Sequence, residues 1–134
     1  MGNVPQEGAP ILLTGATSHT GRRVARRLAE KGLRLRCLLH EPARRARIPD
    51  LPGIEIVERS VADEADLERQ TDGIETVVHI AHIRYAPALV RALERRAAPV
   101  RLIAMSSTRL LSRFETPVRE EVRRGEEAIR HAAS

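Results

Sequence analysis

The feature that most constrains this chain is the stretch Ile11-Leu12-Leu13-Thr14-Gly15-Ala16-Thr17-Ser18-His19-Thr20-Gly21-Arg22. An apolar run the length of a buried strand, Pro10–Thr14, enters a glycine-rich polar segment over 15–21 and leaves it as an amphipathic helix. Over 21–32, Val24 and Leu28 share a face with the small Ala25 and Ala29. Arg22, Arg23, Arg26, Arg27 and Glu30 take the other face, and Gly32 stands where a C-cap glycine belongs. A strand that turns tightly into a helix leaves backbone N–H groups at the helix start facing outward, ready for a diphosphate. Gly15 permits the turn, and Gly21 lets the helix lie close on the sheet.

The rest of the chain repeats the strand–helix alternation. Leu33–Leu39 alternates Leu33, Leu35, Cys37 and Leu39 against Arg34 and Arg36, a period of two. Glu41-Pro42 ends it, and 43–53 reads as a loop or short helix. Ile54–Glu58 is a third strand. A helix starts at Ala62 or Asp63 and runs to about Thr71, stopped by Asp72-Gly73. Thr76–Ala81 is a fourth strand, apolar on both faces as a central strand must be. Pro87 opens a helix to about Ala98 with Leu89, Val90 and Leu93 inward. Val100–Met105 is a fifth strand, 109–116 a loop, and 117–132 a last helix with Val118, Val122, Ile129 and Ala132 apolar. Such alternation predicts an α/β fold with about five parallel strands joined by right-handed crossovers. Residues 1–8 form a polar leader, and 1–134 make a single domain.

Composition narrows the function classes. The 134 residues include no apolar run long enough to span a bilayer. The first residues lack a signal peptide's basic and apolar regions, and the single cysteine, Cys37, has no partner for a disulfide, so a cytoplasmic location is expected. Net charge is +5, and all but one of the 23 basic residues are arginine, Lys31 being the exception. A nucleic-acid surface is one reading of so much arginine. Against it, Tyr85 and Phe114 are the only aromatic residues for stacking on bases, and the acidic residues are interleaved with the arginines. His79 and His82 lie three apart, which on a strand puts them on opposite faces, and no third ligand is spaced to join them, so no metal site is expected.

Thr14-Gly15-Ala16-Thr17-Ser18-His19-Thr20-Gly21 resembles the T-G-A-T-G-x-x-G fingerprint of extended and atypical short-chain dehydrogenases/reductases, which include the epimerase/dehydratase group and the NmrA-like proteins. The likeness continues through Leu38–Arg44 after the second strand, Val77–Ala81 at the fourth, Ile103–Thr108 at the fifth and Gly125–Ser134 at the end. It implies an NAD(P)-binding domain of α/β, Rossmann type: a doubly wound parallel sheet of about five strands in the order 3-2-1-4-5. The diphosphate would lie over Gly15, Ala16, Thr17, Ser18, His19, Thr20, Gly21 and Arg22. His40 and Arg44 would meet the adenosine ribose, Ser60 and Val61 the adenine side, and Ile80, Ala81, His82 and Ser106 the remainder of the dinucleotide. Arg44 and Arg45, with Arg22, favour NADP over NAD, because a ribose phosphate gains charge-assisted bonds there; Glu41 would reverse this by turning inward.

Several positions depart from the family pattern. Ser18 replaces the second glycine of the fingerprint, and its hydroxyl is a candidate phosphate donor. Arg59-Ser60-Val61 replaces G-D-L. The Tyr-x-x-x-Lys pair aligns with Arg119 and Arg123, and Tyr85 is too early in the chain to replace the phenol. Ser107 matches the serine that assists that tyrosine and is the one catalytic candidate. Family members are about twice as long, so the chain stops where a sixth strand would start. The fifth strand would be a bare edge, met by a second copy or a completing second chain, or left bare in a truncated product of marginal stability. The resulting expectation is an NAD(P)-binding relative of epimerases/dehydratases and atypical reductases, possibly without catalysis of its own. The alternatives are a non-catalytic dinucleotide sensor and an arginine-rich nucleic-acid-binding module.

Overall fold

A computed structural model describes residues 8–111 and 113–132. All of the expected leader except Gly8 falls outside them, as do Ser112 of the 109–116 loop and Ala133 and Ser134 of the last motif. Five parallel strands, β1 (Ile11–Thr14), β2 (Leu35–Leu38), β3 (Ile54–Val57), β4 (Thr76–His79) and β5 (Arg101–Ala104), form one sheet in the order β3-β2-β1-β4-β5. This is the order read from the sequence. Four helices connect or follow them: α1 (His19–Glu30), α2 (Glu64–Gln70), α3 (Ala86–Glu94) and α4 (Pro117–Ala132).

The sheet separates two apolar layers. On one face Leu13, Leu35, Cys37 and Val78 pack with Ala25 and Ala29 of α1. On the other, Leu12, Leu38 and Val77 pack with Leu67 of α2 and Leu89 and Ala92 of α3. Alternate residues of β1 thus serve opposite layers, and Leu12 and Leu13 are both fully buried. Cys37 is a small core residue on the α1 face, and burial pushes its thiol up to about 12.

Local chemistry moves several boundaries from their expected places. α1 begins at His19 rather than 21, because Ser18 caps it: its side chain accepts the Gly21 amide at 2.9 Å. β4 stops at His79; the Ile80 amide still donates to the Thr14 carbonyl at 3.2 Å, and Ala81 leaves the ladder. α3 ends at Glu94, four residues short of the expected Ala98. The segment after β2 holds only a 3₁₀ turn, Pro42–Arg47, and the 109–116 loop begins within another, Thr108–Leu111. Arg36 points from β2 to the C-terminal end of α2, where it donates to the carbonyls of Gln70 (2.8 Å) and Asp72 (3.1 Å) and pairs with Glu55. Its side chain is therefore a helix cap, which alternation alone does not reveal.

The last helix, α4, lies on the turn that follows β4. Ile83, Ala86 and Val122 form a small third cluster there. Contact is close enough that a Cβ at Gly125 would sit 2.3 Å from the Ile83 carbonyl oxygen. Gly125→Val is expected to push α4 off this seat and cost about 2 kcal/mol or more, seen as a lower urea midpoint.

Candidate functional site

The C-terminal ends of the strands collect nearly all of the residues singled out from the sequence. Gly15–Arg22 follow β1, His40 and Arg44 follow β2, Ser60 and Val61 follow β3, Ile80–His82 follow β4, and Ser106 and Ser107 follow β5. At this edge the strand order reverses between β1 and β4, which is the position where doubly wound sheets ordinarily take a ligand.

The turn after β1 is held by backbone contact. Gly15 has φ +74, and a Cβ there would lie 2.5 Å from the Ala81 amide nitrogen. A Cβ at Gly21 would lie 1.8 Å from the Gly15 carbonyl oxygen. Any side chain at either position collides with main chain that has nowhere to go. The Gly15 carbonyl also accepts from the Ser18 amide (3.1 Å) and the Ser18 hydroxyl (2.7 Å). The serine's only proton is thus spent inside the turn, and its oxygen receives the Gly21 amide. The hydroxyl expected to donate to a phosphate is instead part of the turn's own closure. The amides of Ala16, Thr17, His19 and Thr20 find no acceptor among the described residues. His19 and Thr20 are the first two residues of α1, so their N–H groups carry the positive end of the helix dipole. This glycine cradle with unspent amides fits a diphosphate.

A second feature, not anticipated, joins β1 to β4 beneath the turn. The buried Thr14 hydroxyl accepts from the amides of Ile80 (3.2 Å) and Ala81 (3.3 Å). Its own proton then goes to Nδ1 of His79, 2.7 Å away. Nδ1 being an acceptor, the ring proton sits on Nε2 and is donated to the His82 carbonyl at 3.2 Å. Thr14 and His79 thereby fix the chain that leaves β4 against Gly15. The signal was present in the sequence: two polar residues inside apolar strands must be paired when buried.

The other candidates serve local structure. Ser107 Oγ accepts the Arg109 amide at 3.2 Å and starts a 3₁₀ turn. Ser106 donates to Glu126 on α4 at 2.5 Å, and His82 Nδ1 accepts the Arg84 amide at 3.0 Å. Ser60 accepts from Ala62, and Val61 packs against the α2–α3 layer. Glu41 is paired with Arg44 at 2.9 Å, and His40 is exposed. At the positions of the tyrosine and lysine pair, Arg119 is bound to Glu115, and Arg123 to Glu120 and Glu127. The Tyr85 hydroxyl is taken by Arg84 at 2.8 Å. His79 and His82 meet ring to backbone, and no three His, Cys, Asp or Glu side chains among the described residues gather as metal ligands.

Residues 15–133 match the sequence profile of the NAD(P)H-binding family, and the chain belongs to that family. It is an NAD(P)-binding Rossmann domain, as the resemblance to short-chain dehydrogenases/reductases implied. No curated protein shows significant similarity to the sequence. Among solved structures it is similar to the enzyme WbmG of Bordetella bronchiseptica, seen in complex with NAD and UDP (18% identity, 93% of this chain and 50% of that one, TM-score 0.78). It is also similar to the epimerase Mth375 of Methanothermobacter thermautotrophicus (18%, 94% and 48%, 0.79). A third likeness is to a wide-type short-chain dehydrogenase/reductase of Veillonella parvula in complex with NADP (17%, 92% and 64%, 0.73). The chain spans about half the length of the first two. No helix among the described residues is long and apolar enough to cross a membrane.

Burial pushes the His79 ring down from 6.5 to about 4. Between those values the unfolded chain binds the extra proton and the folded one does not, so acid favours unfolding. Stability is full above about pH 6.5 and should fall by about 3 kcal/mol as pH drops through 4. Urea midpoints followed across this range will show the slope, and His79→Gln should remove it.

Proposed function

We propose that this domain holds a dinucleotide with the diphosphate on the amides of Ala16–Thr20, and that it does not carry out hydride transfer on its own. The observation that carries the first half is the mutual exclusion of side chains at Gly15 and Gly21 around amides with no internal acceptor. Gly15, Ala16, Thr17, His19, Thr20 and Gly21 contribute backbone, Ser18 the closing hydrogen bonds, and Arg22 the first charge of the helix. Ile80, Ala81 and His82 wall the site from β4, Ser106 from β5, and Ser60 and Val61 from β3. A bound nicotinamide would supply or accept the hydride, while the residues of this chain bind and orient it.

The second half rests on the groups at the family's catalytic positions. Two arginines, each held by carboxylates, replace the phenol and the lysine. Arginine stays protonated and cannot serve as the acid/base. Ser107, the remaining catalytic candidate, has its oxygen engaged by Arg109. A dinucleotide-binding or sensing module is the reading these contacts favour. The soluble-domain chemistry and the unpaired thiol of Cys37 suit the cytoplasm.

NADP is the preferred form. Arg44 spends one nitrogen on Glu41, which turns that carboxylate toward the arginine and leaves the rest of the guanidinium fork for a ribose phosphate. Titration followed by nicotinamide fluorescence should show tighter binding of NADPH than of NADH. Gly21→Val should abolish both, and Arg44→Glu should reverse the preference. Equal affinities that survive both changes would overturn the assignment.

The outer edge of β5 is proposed as the place where a second copy or a completing chain joins. Ile103 and Met105 are 52% and 44% exposed on the face away from α3. Beside the other face, an apolar cavity of about 400 Å³ lies between Leu102, Val100 and Ile129. Nη1 of Arg96, which lines it, is buried with no hydrogen-bond partner among the described residues. An added strand would bring backbone carbonyls to that nitrogen and apolar side chains to both faces. Sedimentation should show concentration-dependent self-association of the chain, and Ile103→Lys should weaken it.

A further inference from the structure

The net charge is not spread over the molecule. Residues 19–50 carry ten basic and three acidic side chains, while the remainder carries thirteen and fifteen. Interleaving of acids with arginines therefore holds for one part of the chain and fails for the other. On α3, Arg91 and Arg95 grip Glu64 of α2 at 2.6 Å each, and the Arg95 and Arg91 guanidiniums hold the Glu64 carboxyl below the usual carboxylate range. On α4, Arg123, Arg124 and Arg130 each have a glutamate partner. On the other side of the sheet, no hydrogen bond or ion pair engages the guanidinium groups of Arg22, Arg23, Arg26 and Arg47 among the described residues.

These unspent arginines border a groove of about 950 Å³. A parallel crossover ordinarily carries a helix over the sheet. Here the link from β2 to β3 has only the six-residue turn Pro42–Arg47 and then runs on to Gly53. Ile48 of that link is buried in the α1 layer, which fixes the crossover to this face. Beside it, Leu51, Ile54 and Ile56 are only half-buried and form an aliphatic floor. Arg22, Arg23 and Arg26 of α1 make one wall, and Arg45 and Arg47 the other. Arg45 is shared with Glu58, and Asp50 is the one acid on the lining. The groove follows β3 from Ile56 back to Ile54 and meets the proposed dinucleotide edge at Arg22.

We propose that this groove is a docking site for an acidic amphipathic helix of a partner protein, occupying the space a crossover helix would fill. An aliphatic floor between two guanidinium walls matches a helix with leucine-like residues on one face and carboxylates flanking them. Single-stranded nucleic acid fits less well, since no aromatic side chain lines the groove. Duplex phosphates would meet the arginines but leave the isoleucine floor uncovered. The variants that test the groove therefore lie at Arg26 and Arg47, which the dinucleotide reading does not use.

The test uses the whole chain, without and with saturating NADPH, and fluorescence anisotropy of a labelled synthetic helix bearing leucine on one face and glutamate beside it. The acidic helix should bind, and binding should weaken as salt is raised. Arg26→Glu and Arg47→Glu, on separate elements and both exposed, should each weaken it about tenfold or more. Arg69→Glu, an exposed arginine on α2, should leave it unchanged. The proposal fails if the acidic helix does not bind, or if a lysine version of the peptide binds as well. It fails equally if duplex DNA binds more tightly, if NADPH displaces the helix, or if the three variants behave alike.

Discussion

The contact between the Gly15 carbonyl and Gly21 sets the geometry of the whole front edge. That oxygen lies where a Cβ on residue 21 would stand, and it accepts both the amide and the hydroxyl of Ser18. The turn therefore closes on itself without help from a ligand. Gly15 in turn rests on the backbone of Ile80 and Ala81, which the Thr14 hydroxyl holds in place. β1, β4 and α1 meet here with no spare volume. The unspent amides at the start of α1 point outward because this packing fixes where the helix begins, and a preformed set of donors costs little further ordering when it meets an anion.

Much of this was legible before any coordinates. Buried parallel strands read as short apolar runs, and helices facing a sheet read as apolar stripes among arginines, so the element order follows from pattern and the sheet order from the family resemblance. The glycines at 15 and 21 identified the cradle because only close backbone approach explains both. What pattern could not supply was tertiary. Ser18 reads as a lost glycine in a phosphate loop, and only its contacts to Gly15 and Gly21 show a cap. His79 reads as a lone polar residue in an apolar strand, and only its contact with Thr14 shows a buried, neutral strut. Arg36 reads as an outward strand residue until the end of α2 is seen beside it.

The arginines show the same limit on a larger scale. One composition describes two populations. Those on α2, α3 and α4 meet carboxylates across and along the helices, and such exposed pairs individually contribute little to stability. Their effect is to neutralise that side of the molecule. The helix α1 has only Glu30 among its four arginines, and the link to β3 only Asp50 beyond the Glu41 pair. A field of one sign is left on a single face, where it can steer an oppositely charged surface before contact.

Cys37 has a consequence of another kind. Its thiol lies under α1 with its ionisation suppressed by burial, and the thiolate is the form that oxidants and alkylating agents attack. A domain that handles a redox coenzyme thus carries no oxidant-sensitive switch among its own described side chains of that type. The same sulfur becomes reactive only when the α1 layer comes apart, so the rate at which it is labelled is a clock for the opening of the domain.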